Sequence, residues 1–124
     1  MQIMLIGTAT LPVLTLLCIQ WSDYMGATAF ALMLVGNLLN LSVMHANGGK
    51  MPVKELWSHA GPDYIQLDEK TRFPWLADII NLKIVQMSIG DIPLKVGLAI
   101  MLVWLWGIVH IWVPWVWRTV RVWA

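Results

Sequence analysis

Cysteine, charge and phenylalanine are all scarce in this chain. Its 124 residues hold one cysteine, two phenylalanines and two tyrosines, with eight basic side chains against seven acidic ones. The lone Cys18 excludes an internal disulfide and has no Cys or His nearby at metal-ligand spacing. A net charge of +1 argues against a nucleic-acid partner. Charged residues make up 12% of the chain, about half the ordinary share, which is too little to coat a typical soluble domain. There is no H-E-x-x-H, G-x-S-x-G, G-x-x-x-x-G-K or C-x-x-C pattern, so no familiar catalytic signature is on offer. What the chain has instead is apolar mass: 59% hydrophobic residues, nine tryptophans, eight methionines and a mean hydropathy of +0.69.

A membrane-crossing helix needs about 20 mostly apolar residues. Three stretches meet that test, and they predict an all-α integral membrane protein with three transmembrane helices in one membrane domain. The first runs from about Met1 to Gln20 and is broken only by Pro12 and by Thr8, Thr10 and Thr15. It has no basic leading region and no A-x-A cleavage pattern, so it reads as a retained helix rather than a signal peptide. The second, about Tyr24 to Met44, carries no charge. The third, about Pro93 to Trp117, has Lys95 close enough to its start to snorkel outward. Only Trp21, Ser22 and Asp23 separate the first two, which predicts a tight antiparallel hairpin.

A long extramembrane loop, about 46–92, joins the second and third helices and holds most of the charge. Its basic residues are Lys50, Lys54, Lys70, Arg72 and Lys83; beyond the last helix come only Arg118 and Arg121. The positive-inside rule therefore places the N-terminus and the loop in the cytoplasm, and the C-terminus outside.

Inside the second helix, Gly36 lets backbones approach, while Asn37 and Asn40 share a face and need hydrogen-bond partners in an apolar medium. Threonines of the first helix or another subunit could supply them. The third helix is crowded with rings. Trp104, Trp106, Trp112, Trp115 and Trp117 fall on more than one face and suit contact with lipid chains or neighbouring helices.

His110 is the only titratable group deep in a span, and a neutral imidazole can ligate haem iron or a chlorophyll-type magnesium. The run His110-Ile-Trp-Val-Pro-Trp resembles the end of bacterial light-harvesting polypeptides, which implies bacteriochlorophyll ligation by His110. That family places a small residue four positions before the histidine; here it is Trp106, with Gly107 three before.

The loop opens with Asn47-Gly48-Gly49, a sharp reversal out of the second helix. Ser88 or Asp91 can cap the third helix. The ordered segments N-G-G-x-M-P-V, T-R-F-x-x-L-A-D and S-I-G-D, over about residues 36–100, resemble an uncharacterised family of small bacterial membrane proteins. The resemblance implies a polytopic protein of the bacterial inner membrane with no established activity. A polar cluster of His59, Thr71, Arg72, Asp78 and Asp91 is expected at the membrane surface, with Arg72 pairing one aspartate.

Three readings of function follow. The first is a non-catalytic accessory subunit of a larger respiratory or photosynthetic membrane complex, its partners being the lipid bilayer and other integral membrane subunits. The second is a tetrapyrrole carrier using His110 for bacteriochlorophyll or haem. The third is a lipid- or quinone-linked enzyme built on the loop cluster. Three spans without a repeat argue against a transporter.

Overall fold

The computed structural model describes residues 2–55, 61–81 and 86–122, with side chains described for 4–55, 61–80 and 86–110. Three helices dominate: α1 (Gln2–Gln20), α2 (Tyr24–Ala46) and α3 (Asp91–Val122). Two of them are long and apolar enough to cross a membrane, α2 over Tyr24–Ala46 and α3 over Asp91–His110. The apolar part of α1 is shorter, Met4–Gln20.

The α1–α2 turn is closed by Asp23. Its Oδ1 accepts the Gly26 N–H at 3.0 Å and so caps α2, while Ser22 takes the left-handed backbone at φ 58°. Asp23 Oδ2 accepts the Trp104 indole N–H at 2.6 Å, which fixes α3 antiparallel to α2 with Trp104 level with this turn. The Trp104 ring meets Phe30 edge-on, with centroids 6.0 Å apart, above the core of Leu11, Cys18, Ala27 and Phe30.

Glycines bring α2 and α3 together. A Cβ on Gly36 would collide with the Gly90 carbonyl and stand 2.7 Å from the Leu94 nitrogen. One on Gly97 would stand 2.6 Å from the Ala29 carbonyl. The close crossing exists because these positions carry no side chain.

Hydroxyls along the helices, on half-buried and exposed faces alike, satisfy themselves. Thr8, Thr15, Thr28 and Ser42 each donate to the carbonyl four residues back at 2.7–2.8 Å, and Thr10 does so at 3.1 Å. This back-bonding lets a hydroxyl sit among apolar neighbours without an orphaned donor. The exterior is correspondingly apolar. Leu5, Ile6, Val13 and Leu16 on α1, and Leu102, Val103, Trp106 and Val109 on α3, are exposed. Only 6% of the most apolar stretch of α3 is buried, against 44% for α2.

The long connection corrects the all-α expectation, because it is not wholly irregular. β1 (Met51–Val53) runs parallel to β2 (Tyr64–Gln66), and β3 (Ile80–Asn81) runs antiparallel to β4 (Gln86–Met87). A single 3-10 turn, Pro74–Leu76, lies between the pairs. Strands of two or three residues are too short to show an alternating pattern, so the sequence carries no period-two signal for them. This layer seals one end of the bundle: Met51 and Leu76 join Val43 and Met44 in a second core, with Met4 and Leu39 packed against it. The helix ends also run further than expected, α2 to Ala46 and α3 from Asp91 to Val122.

Candidate functional site

The start of α3 packs against α2, with Ser88 and Gly90 buried just before it and Asp91 half-buried. Ser88 Oγ accepts the Asp91 N–H and the Asp91 carboxylate accepts the Ser88 N–H, both at 3.2 Å. This is a reciprocal capping box in which aspartate replaces the usual glutamate or glutamine. The Asn40 side chain closes it into a ring. Asn40 Oδ1 accepts the Ser88 hydroxyl at 2.7 Å and Asn40 Nδ2 donates to Asp91 Oδ1 at 2.8 Å. Ser88 is 0% and Asn40 2% exposed, so each polar atom needs this partner. Gly90 makes room for it, since a Cβ there would strike the Asn40 carboxamide.

Asp78 reaches the same region along a different route. The Asp78 N–H donates to the Pro52 carbonyl at 3.0 Å and its carbonyl accepts the Lys54 N–H at 3.2 Å, forming a parallel bridge beside Val53. β1 is thus flanked by β2 on one edge and by Asp78 on the other. Its residues are all buried, which anchors Asp78 over the bundle end. Asp78 is 8% exposed, and its Oδ1 has no hydrogen-bond partner. Burial first, and the Asp91 charge second, push its carboxyl up to about 6, with Lys95 pulling the other way.

Asp78 and Asp91 share the wall of a cavity of about 310 Å³ with Asn40, Asp63, Tyr64, Gln86 and Lys95, and with Met4, Met44 and Met51. Gln86 also contributes an unsatisfied atom, its Oε1, while its Nε2 donates to the Glu55 carbonyl at 3.1 Å.

Not every residue of the expected loop cluster comes here. Arg72 engages Asn47 instead. Its backbone N–H donates to Asn47 Oδ1 and its carbonyl accepts from Asn47 Nδ2, each at 2.9 Å, so the cation facing Asp78 is Lys95. Thr71 closes a local turn with Asp68, its hydroxyl donating to Asp68 Oδ1 at 3.0 Å. His59 lies outside the described residues. Asn47 also donates to the Val43 carbonyl at 2.7 Å, and Gly48 and Gly49 follow with φ of 69° and 84°, the left-handed angles of the reversal.

Asn37 faces α1. Its Nδ2 donates to the Met4 carbonyl at 2.7 Å and to Thr8 Oγ1 at 2.9 Å. Trp104, grouped by the sequence with the outward rings, turns inward to Asp23 because α3 passes the α1–α2 turn there. Trp106 and His110 lie exposed on α3 with ring centroids 4.3 Å apart. Trp106 therefore stands against the imidazole, at the position where the light-harvesting resemblance requires a small residue. The side chains of Trp112, Trp115 and Trp117 lie outside those described.

Sequence reasoning missed the cavity contribution of Lys95, Gln86, Asp63 and Tyr64. Lys95 alone had a signal, as the residue four after Asp91 on one helix face. Among the described residues no group of three His, Cys, Asp or Glu side chains could hold a metal ion.

A family model, Family of unknown function (DUF5317), matches residues 3–103, and the chain belongs to that family. The matched span takes in α1, α2, the loop layer and the first part of α3; Trp104 and the residues after it lie past it. No curated protein and no solved structure matches.

Proposed function

We propose that this member of the family is an integral membrane protein that crosses the bilayer three times and serves as a non-catalytic accessory subunit of a larger membrane complex. The observation that carries the subunit reading is the reach of α3. From Trp104, level with the α1–α2 turn, α3 continues to Val122, roughly 27 Å at 1.5 Å per residue. Leu105, Trp106 and Val109 on that projecting part are exposed, and no helix of this chain runs beside it among the described residues. An apolar helix standing clear of its own bundle is covered by lipid or by a neighbour, and rings such as Trp106 pack well against neighbouring helices.

Three features support the membrane reading. The bundle exterior is apolar, its hydroxyls are satisfied internally, and exposed aromatics mark both ends. Trp21 and Tyr24 lie at the hairpin turn, and Phe73 and Trp75 lie in the loop layer at the opposite end, as in an interfacial belt. On the positive-inside count, the N-terminus and the loop layer face the cytoplasm.

Cysteine labelling tests the crossings. In a Cys18→Ser background, Trp21→Cys and Lys50→Cys react with an impermeant maleimide from opposite faces of sealed vesicles. Labelling of both from one face sinks the topology. For the subunit reading, gentle solubilisation yields a particle containing a second integral membrane protein, and Trp106→Ala with Val109→Ala weakens that association. A clean monomer or homodimer overturns it.

A further inference from the structure

We infer that the cavity between the loop layer and the start of α3 binds a primary ammonium group, that of an aminophospholipid headgroup, with Asp78 and Gln86 accepting its N–H bonds and Lys95 facing the phosphate. This inference rests on the membrane reading above, which brings headgroups to this end of the bundle.

The chemistry is selected by what the wall leaves unsatisfied. Both unpartnered buried atoms, Asp78 Oδ1 and Gln86 Oε1, are acceptors, so the missing partner is a donor. Gln86 cannot remove the need by flipping its amide, because its Nε2 is held by the Glu55 carbonyl. Asp78 is more than nine-tenths buried and is one of the residues lining the cavity, so a donor reaches its carboxylate from the cavity and not from bulk water. Asp91, by contrast, already has both oxygens engaged, by Asn40 and by Ser88.

Charge narrows the choice further. Asp63, Asp78 and Asp91 outnumber Lys95 on the wall, which favours a cationic group and disfavours an anionic headgroup. Lys95 has no ion pair closing it off among the described residues, and it lies in the first turns of α3, where a phosphate is an apt partner. A group carrying an ammonium and a phosphate two carbons apart satisfies both ends. A trimethylammonium has no N–H and leaves both acceptors orphaned. The volume of about 310 Å³ lies at the low end for ligand pockets, which suits a headgroup better than a tetrapyrrole.

The test uses the full chain, delipidated in detergent, with binding followed by native mass spectrometry. The probes are phosphatidylethanolamine, phosphatidylcholine, phosphatidylglycerol and free ethanolamine. Phosphatidylethanolamine is expected to bind about tenfold more tightly than phosphatidylcholine, the worth of a charge-assisted hydrogen bond. Asp78→Asn, nearly isosteric, reduces its binding by a similar factor; Gln86→Leu, which removes the other acceptor, gives a second reading should the first variant fold poorly. Lys95→Gln weakens the phospholipid but not free ethanolamine. Ethanolamine binding as tightly as the phospholipid keeps the ammonium site and assigns it to a soluble amine. Equal retention of phosphatidylethanolamine and phosphatidylcholine, or undiminished binding by folded Asp78→Asn, overturns the inference. The cysteine labelling does not involve this site, so a failed headgroup assay beside intact labelling condemns the site alone.

Discussion

Asn40 in the middle of a helix and Asp91 at the start of another, 51 positions later, are joined by a 2.8 Å hydrogen bond. The same carboxamide accepts the Ser88 hydroxyl, so one side chain holds both members of a helix cap. The start of α3 is therefore pinned to α2, and the loop layer is drawn down over the end of α2.

Removing that carboxamide should be among the more damaging single changes. Asn40→Ala leaves the buried Ser88 hydroxyl and a half-buried Asp91 oxygen without Asn40, at a cost of about 2–3 kcal/mol. Asn37→Ala should cost about 1 kcal/mol, because the Thr8 hydroxyl retains its own bond to the Met4 carbonyl at 2.8 Å. Unfolding in mixed micelles would rank the two; equal losses would mean that the ring around Asn40 adds nothing.

Two helical glycines, one at the α2–α3 crossing and one on the projecting part of α3, offer a paired comparison. Gly36→Ala drives a methyl into the Gly90 carbonyl and should lower stability by about 1–3 kcal/mol through helix separation. Nothing lies within 4 Å of a Cβ on Gly107, so Gly107→Ala should be neutral or stabilising by up to about 1 kcal/mol. The same denaturation assay checks both, and a silent Gly36→Ala would contradict the close crossing.

Trp104 and Trp106 are two residues apart yet differ in setting. Trp104→Phe loses the indole donor to Asp23 and should cost about 1–2 kcal/mol, whereas Trp106→Phe should leave the isolated protein's stability within about 0.5 kcal/mol. Thermal melts of the two purified variants would distinguish them.

Stability should also depend on pH through Asp78. Its carboxyl is raised from 3.8 to about 6, so the folded protein holds this proton more tightly than the unfolded chain does. The contribution is complete below the ordinary value and is lost as pH rises through about 6. The loss is on the order of 2–3 kcal/mol at about 1.4 kcal/mol per pH unit. Asp91 and Lys95 face this group with opposite effects, and Asp63 shares its cavity. Asp78→Asn should flatten the profile between pH 4 and 6 and be the more stable form at pH 7.5. A wild-type melting profile that does not fall across that window would refute the assignment.

The helices were legible because apolar stretches of some 17–23 residues are too long for strands. The need of Asn37 and Asn40 for partners was equally plain, since a buried amide without one is costly. Which partners they take was not, because Ser88 and Asp91 are remote in sequence and only the packing of α3 brings them near. Arg72 misled for the same reason. Its charge suggested an ion pair, while its backbone was claimed by Asn47. Trp104 looks like any other ring in a tryptophan-rich helix until Asp23 is placed beside it. The two-residue strands and the orientation of Gln86 depend on neighbours far along the chain, and no local pattern announces them.

The unequal helices set a mechanical condition on the surroundings. α1 has 19 residues and α3 has 32, lengths of roughly 28 and 48 Å, so the molecule presents a step rather than a cylinder. In the three-span reading proposed above, hydrocarbon of one depth matches only one side of that step; around the other, acyl chains stretch or α3 tilts. The mismatch is relieved if a taller protein stands beside α3. Acyl-chain length alone would then tune association, with no residue of this chain altered.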